Sequence, residues 1–195
     1  QHDLRDVGHR LYLVGQERNR IAGGEIAEAG FDNSLNFEKL VALKPDVVFL
    51  YGLTGKNAVT DKLHELGLKT VYIGDYVENN PLGRAEWITV FGEFTGRREL
   101  ASTLFDSISN EYNRAKALVS GGEKRPEVML NAPWQDSWFV PGDRSYMVRL
   151  LEDAGGNYAC RGVDSDQSRP ISTETAFVAA SQSDFWLSPG TATSL

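Results

Sequence analysis

Two carboxylates stand at matching places in this chain. Glu38 follows Asn36-Phe37 and precedes the run LVALK; Glu174 follows Ser172-Thr173 and precedes AFVAA. Each stretch opens on a helix-capping residue, puts an acid at the second helical position, and leads through Asp46 or Asp184 to an apolar run, VVFLY or FWL. The two acids lie more than 130 positions apart. An acid in a first helical turn is favoured by the helix dipole by roughly 0.3–1 kcal/mol and needs no function. As a matched pair the acids also suit a second chemistry: two fixed negative charges that dock on two basic sites of a partner. The repeated cap, acid, helix and strand point to two similar α/β lobes with one carboxylate each. That is more easily read as a binding clamp than as an enzyme.

A second group of residues carries flat apolar surface. Trp134, Trp138, Phe139 and Tyr146 fall within 13 positions, around two expected strand ends, and Tyr51 closes the VVFLY run. In open α/β sheets ligands bind beyond the carboxyl ends of the strands, and aromatic faces there suit a large, flat or partly apolar ligand. Core packing is the ordinary alternative for each ring, and both readings stand for Tyr51 and Trp138. Arg169, in a polar stretch before a helix start, can pair with an anionic group or remain a solvated loop arginine.

These residues are carried by alternating elements. Asn36 caps a helix over 37–43 that stops before Pro45, and VVFLY (47–51) reads as a strand buried on both faces. A helix over about 56–66 stops at Gly67, and KTVYIG (69–74) is the next strand, which completes a βαβ unit. RLYLVG (10–15) is a strand or a helix end, and the Gly-rich stretch after it is a loop. Pro81 opens a helix that Gly96 closes. A longer helix runs from about Arg97 to Val119, with Leu100, Leu104, Ile108, Tyr112, Ala115 and Val119 on one apolar face. At roughly 35 Å it suits a spine between lobes. EVMLNA and SWFVPG read as strands, SYMVRLLEDAGG as a helix, NYAC as a short strand, RGVDSDQSRP as a polar loop, and DFWLS as a final strand before a frayed end. The expected organisation is an N-terminal lobe over 1–80, an inter-lobe helical region over 81–120 and a C-terminal lobe over 121–195.

Bulk properties exclude several functions. Lys and Arg number 20 against 27 Asp and Glu, a net charge of −7 that argues against nucleic-acid binding. Cys160 is the single cysteine, so there is no intramolecular disulfide and no cysteine-based metal cluster. His2, His9 and His64 have no metal-ligand spacing. No GxxxxGK[ST], GxGxxG or GxSxG motif occurs. No apolar run nears the roughly 20 residues that span a bilayer. The chain begins at Gln1 without Met and stops just after a strand. Flanking segments, among them a signal or lipid anchor, are therefore expected outside it.

The segments NFEKLVALKPDVVFLYG and LHELGLKTVYI resemble the N-lobe of the ABC-importer substrate-binding proteins that carry ferric siderophores, haem or cobalamin. PLGRAEWITVFGEFTG and the helix after it look like that family's inter-lobe region, and YMVRLLEDAGGNY and SRPISTETAFVAASQSDFWLSPG like its C-lobe. The resemblance covers about residues 30–190. It implies an α/β fold of two Rossmann-like lobes with mainly parallel sheets, joined by a long spine helix. It also implies a monomer outside the cytoplasm, in the periplasm or on the outer face of the membrane, with no covalent cofactor and a metal chelate as cargo. Glu38 and Glu174 map onto the two glutamates that engage the permease dimer of the importer. Tyr51 with Gly52, Trp134, Trp138 and Phe139, and Ser168 with Arg169 map onto ligand-facing positions. The family's opening strand and helix, and its helices past Leu195, have no counterpart here, so the binding site is expected to be incomplete. Two rivals remain: a ligand-sensing module of a receptor, and an α/β enzyme with an inter-lobe site, which the missing phosphate loop and histidine base disfavour.

Overall fold

The computed structural model describes residues 23–30, 34–51, 58–122, 124–134 and 137–188. The stretch 10–15, Gly52 and the tail from Pro189 lie outside the described residues. The chain divides into two compact units, Gln1–Ile73 and Gly74–Leu195.

In the first unit, helix α1 (Phe37–Leu43) starts where the Asn36 side chain accepts from the Lys39 backbone N–H at 2.9 Å. It stops at Lys44, which takes the left-handed conformation (φ 48°); the residue before a proline is disfavoured in the right-handed helical region. Strands β1 (Val48–Tyr51) and β2 (Thr70–Ile73) pair in parallel, in register from Val48↔Thr70 to Tyr51↔Ile73. Helix α2 (Ala58–Glu65) lies between them in the chain and ends at Gly67, whose φ of 74° suits only glycine without strain. Leu63, Thr60 and Ile73 form the buried centre, and the Thr60 and Tyr72 hydroxyls share a 2.5 Å hydrogen bond. The expectation of a strand buried on both faces does not hold for β1. Its first three residues are half-buried and Tyr51 is 69% exposed, because among the described residues β2 is its one partner.

The second unit begins with two helices. Asn80 caps α3 (Pro81–Phe94), accepting from the Leu82 N–H, and Pro81 takes the first position, where its missing N–H costs nothing. Gly96 (φ 66°) reverses the chain into α4 (Arg98–Val119). The two helices meet at Gly92, where a Cβ would lie 2.4 Å from that of Ala101. The apolar stripe of α4 is only partly used in this packing. Ala101 is buried, but Leu100, Leu104 and Ile108 remain 53%, 43% and 44% exposed. Farther along, Tyr112 donates to Asp153 Oδ2 at 2.8 Å and Lys116 Nζ lies 2.7 Å from Oδ1, which fastens α4 to α5 (Tyr146–Asp153).

Two small sheets follow. Strand β3 (Glu127–Leu130) sits between β6 (Asn157–Tyr158) and β8 (Phe185–Leu187), parallel to both. Strands β4 (Pro133–Trp134), β5 (Ser137–Val140) and β7 (Arg169–Ile171) form an antiparallel sheet in that order. Helix α6 (Thr173–Ser181) leads from β7 towards β8. Val128, Met129, Leu130, Val140, Val148 and Tyr158 make one core, flanked by Trp138 and Ile171. The fold is α/β, and three of the five pairings among the described residues are parallel.

Two readings of this unit need correction. The stretch ending SRP is not loop throughout: Arg169–Ile171 is a strand, and Pro170 is tolerated because, among the described residues, β7 lies at a sheet edge, where an N–H is dispensable. The FWL run, whose apolar composition suits a buried strand, is also open: Phe185, Trp186 and Leu187 are 63%, 51% and 47% exposed, and among the described residues β8 pairs with β3 alone.

The α4–α5 fastening titrates. Burial works to raise the Asp153 carboxyl, but hydrogen bonds from Lys116 and Tyr112 outweigh it and hold the group below its usual range. A depressed carboxylate stabilises the fold above the unfolded-state pKa and loses that contribution as pH falls through the folded one. Asp153→Asn is therefore expected to lose about 1–3 kcal/mol at pH 7. In thermal melts the gap between variant and parent should close as pH drops below about 4.

Candidate functional site

The candidate ligand residues of the second unit are gathered by the antiparallel sheet. In the β5–β7 register Trp138 faces Ile171, Phe139 faces Pro170 and Val140 faces Arg169. Residues alternate sides along a strand, so Trp138 and Arg169 share one face and Phe139 lies on the other. Trp138 is half-buried against the core and Phe139 is 41% exposed. Trp134 ends β4; its side chain lies outside the described part of the structure. Ser168 is exposed just before β7.

Arg169 does not reach freely into solvent. Its Nη2 donates to the Cys160 carbonyl at 3.3 Å, and its Nε is buried with no hydrogen-bond partner among the described residues. Burial pushes the Cys160 thiol up, and the nearby Arg169 charge works against that shift. Burial likewise raises the neighbouring Tyr158 phenol, whose hydroxyl donates to the Pro141 carbonyl at 2.7 Å. The guanidinium therefore faces the core side of the sheet rather than open solvent. Tyr51 ends β1 in the other unit, so the candidate residues are divided between the two units.

Two residues at the aromatic wall were not singled out from the sequence. Trp186 on β8 lies 5.5 Å from Trp138, ring centre to ring centre, with planes tilted by 40°. Asn131, immediately after β3, adopts φ 68°, and its side-chain N–H donates to the Phe139 carbonyl at 2.9 Å. An aromatic residue inside a short apolar strand, and an Asn at a strand end, were the only signals available.

The two acids occupy equivalent sites. Glu38 and Glu174 are both exposed and both stand second in their helices. Each helix is capped by the residue two before the acid: Asn36, as above, and Ser172, whose Oγ accepts from the Thr175 N–H at 3.2 Å. Glu174 is held below its usual range by its own backbone N–H and by the Ser172 hydroxyl. Among the described residues no group of three or more His, Cys, Asp or Glu is placed to hold a metal ion. No helix there is long and apolar enough to cross a membrane.

The family model described as "Periplasmic binding protein" matches residues 8–193. The chain belongs to that family. Its members are binding proteins rather than enzymes. An uncharacterized lipoprotein of Methanocaldococcus jannaschii is 28% identical over 172 residues, which cover 87% of this chain and 41% of that protein. Among solved structures, the haem-binding protein RhuT of Roseiflexus sp. RS-1 superposes with a TM-score of 0.63 at 19% identity, over 84% of this chain and 61% of that one. The siderophore-binding protein FhuD of Vibrio cholerae, bound to Fe3+-Desferal, gives a TM-score of 0.62 at 19% identity, over 85% and 64%. Both show the same fold. The chain spans about two-fifths of the lipoprotein relative and under two thirds of either structure.

The Ser172 cap can be tested directly. Ser172→Ala should cost about 1 kcal/mol of stability through the lost cap. It should also return the Glu174 carboxyl towards its ordinary value, read by NMR titration of that side chain.

Proposed function

We propose that this protein is the substrate-binding component of an ABC importer, holding a metal chelate outside the cytoplasm and presenting it to a permease dimer. Membership of the periplasmic binding protein family, matched over residues 8–193, carries the reading. The fold it shares with a haem carrier and a ferric siderophore carrier supports a chelate as cargo. The aromatic pair of Trp138 and Trp186 supports a cargo with apolar surface. The lipoprotein relative supports a tethered, extracytoplasmic location.

On this reading no bond is made or broken. The protein acts as a monomer, with lobes over residues 1–80 and 121–195 and a helical region over 81–120. Tyr51, Gly52, Trp134, Trp138, Phe139, Ser168 and Arg169 contact the ligand. Arg169 favours an anionic chelate through its guanidinium charge. Glu38 and Glu174 dock on permease arginines. Matched caps and exposure at the second helical position in both units favour that role, since each carboxylate stands clear of its unit's core.

Calorimetric titration with ferric siderophores, haem, cobalamin and cobinamide should give saturable one-to-one binding to at least one. No heat from the folded protein with any of them would overturn the carrier reading. Reversing both docking charges (Glu38→Lys with Glu174→Lys) is expected to abolish uptake in a reconstituted importer. Ligand affinity should stay within about twofold, because rim charges act on the encounter with the partner; a clear loss of ligand affinity would remove the docking assignment.

A further inference from the structure

Strand β3 ends at Leu130, and the next residue, Asn131, takes the left-handed conformation at φ 68°, which Asn tolerates better than most residues. Three hydrogen bonds hold it there. Its N–H donates to the Leu187 carbonyl on β8 at 3.0 Å, and its side-chain N–H to the Phe139 carbonyl on β5 at 2.9 Å. Its own carbonyl accepts from the Trp186 indole at 2.5 Å. One position earlier, the Leu130 carbonyl accepts from the Trp138 indole at 3.2 Å.

Two consecutive carbonyls thus take up both indole N–H groups. An indole has no other polar atom, so this part of the wall offers a ligand only π-faces and hydrocarbon edges. The rings are tilted by 40° at 5.5 Å. Trp186 remains 51% exposed although its polar atom is bonded inward. A large ring fixed by its own hydrogen bond yet half uncovered loses little freedom when something stacks on it. The site lies at the carboxyl end of β3, where open α/β sheets receive ligands.

We propose that Trp186 and Trp138, with Asn131 as the positioning residue, form an apolar stacking platform that selects chelates with a flat conjugated face. The inference rests on the carrier reading above and deepens it. A tetrapyrrole or an aryl catecholate offers such a face; a saturated hydroxamate does not. Anionic groups on the cargo must be met elsewhere, since the platform has no donor left.

The test uses three probes: haem, ferric enterobactin and ferric desferrioxamine. At least one of the two flat-faced probes should bind the parent protein and weaken about tenfold or more in Trp186→Ala, while Trp186→Phe stays within about threefold. Asn131→Gly keeps the backbone conformation and removes the bond to Phe139. It should alter the near-ultraviolet circular dichroism of the free protein and weaken the same probe, with the melting temperature of Trp186→Ala serving as the folding control. Flat-probe binding that is unchanged in folded Trp186→Ala would overturn the platform, as would binding of ferric desferrioxamine alone. In both cases the carrier reading survives. Failure of all three probes and of the corrinoids would instead defeat the carrier reading itself.

Discussion

The second unit depends on the burial of β3 between two parallel neighbours. Val128, Met129 and Leu130 are nearly or fully inaccessible, and a strand paired on both edges leaves no backbone group to water. Both ends of β3 are pinned as well. At the start, Glu127 N–H donates to Asp184 Oδ2 at 2.9 Å, and Asp184 N–H returns a bond to the Glu127 carbonyl at 2.8 Å. At the finish, Asn131 bonds to β8 and β5 together. The strand therefore fixes where the parallel sheet stops and where the antiparallel hairpin begins. Every aromatic residue of the wall takes its position from that junction.

The first unit is built more lightly. Its described core is a helix laid against a two-stranded sheet, with Leu63 at the centre and a Thr60–Tyr72 bond beside it. What the units share is local. Each presents a glutamate second in a side-chain-capped helix, one residue past the point where the chain becomes helical. The cap fixes the helix start, and the helix start fixes the carboxylate, so a few residues of sequence suffice to place each charge.

Such local devices were the legible part of the sequence. Asn36, Ser172 and the Asn80-Pro81 pair announce helix starts by side-chain chemistry, and Gly67 and Gly96 announce stops. The 22-residue length of α4 follows from its periodicity. What the sequence hid depends on partners distant in the chain. VVFLY and FWL have the composition of buried strands, yet Tyr51 and Trp186 are exposed because each strand is paired on one side only among the described residues. Arg169-Pro170-Ile171 lacks any strand pattern and becomes one because β5 offers an edge. Arg169 looks like a loop arginine, but register with buried Val140 turns it towards Cys160. Asn131 gives no sign in sequence that three bonds converge on it.

One short connection has a further consequence. Ile171, the register partner of Trp138, is followed at once by Ser172, which caps the helix bearing Glu174. Three covalent steps separate the strand behind the aromatic wall from the carboxylate, and hydrogen bonds fix the chain on both sides of that gap. Ile171 to Glu174 thus leaves no slack in the chain. The seating of β7 against β5 sets where α6 starts, and with it where the Glu174 carboxylate stands.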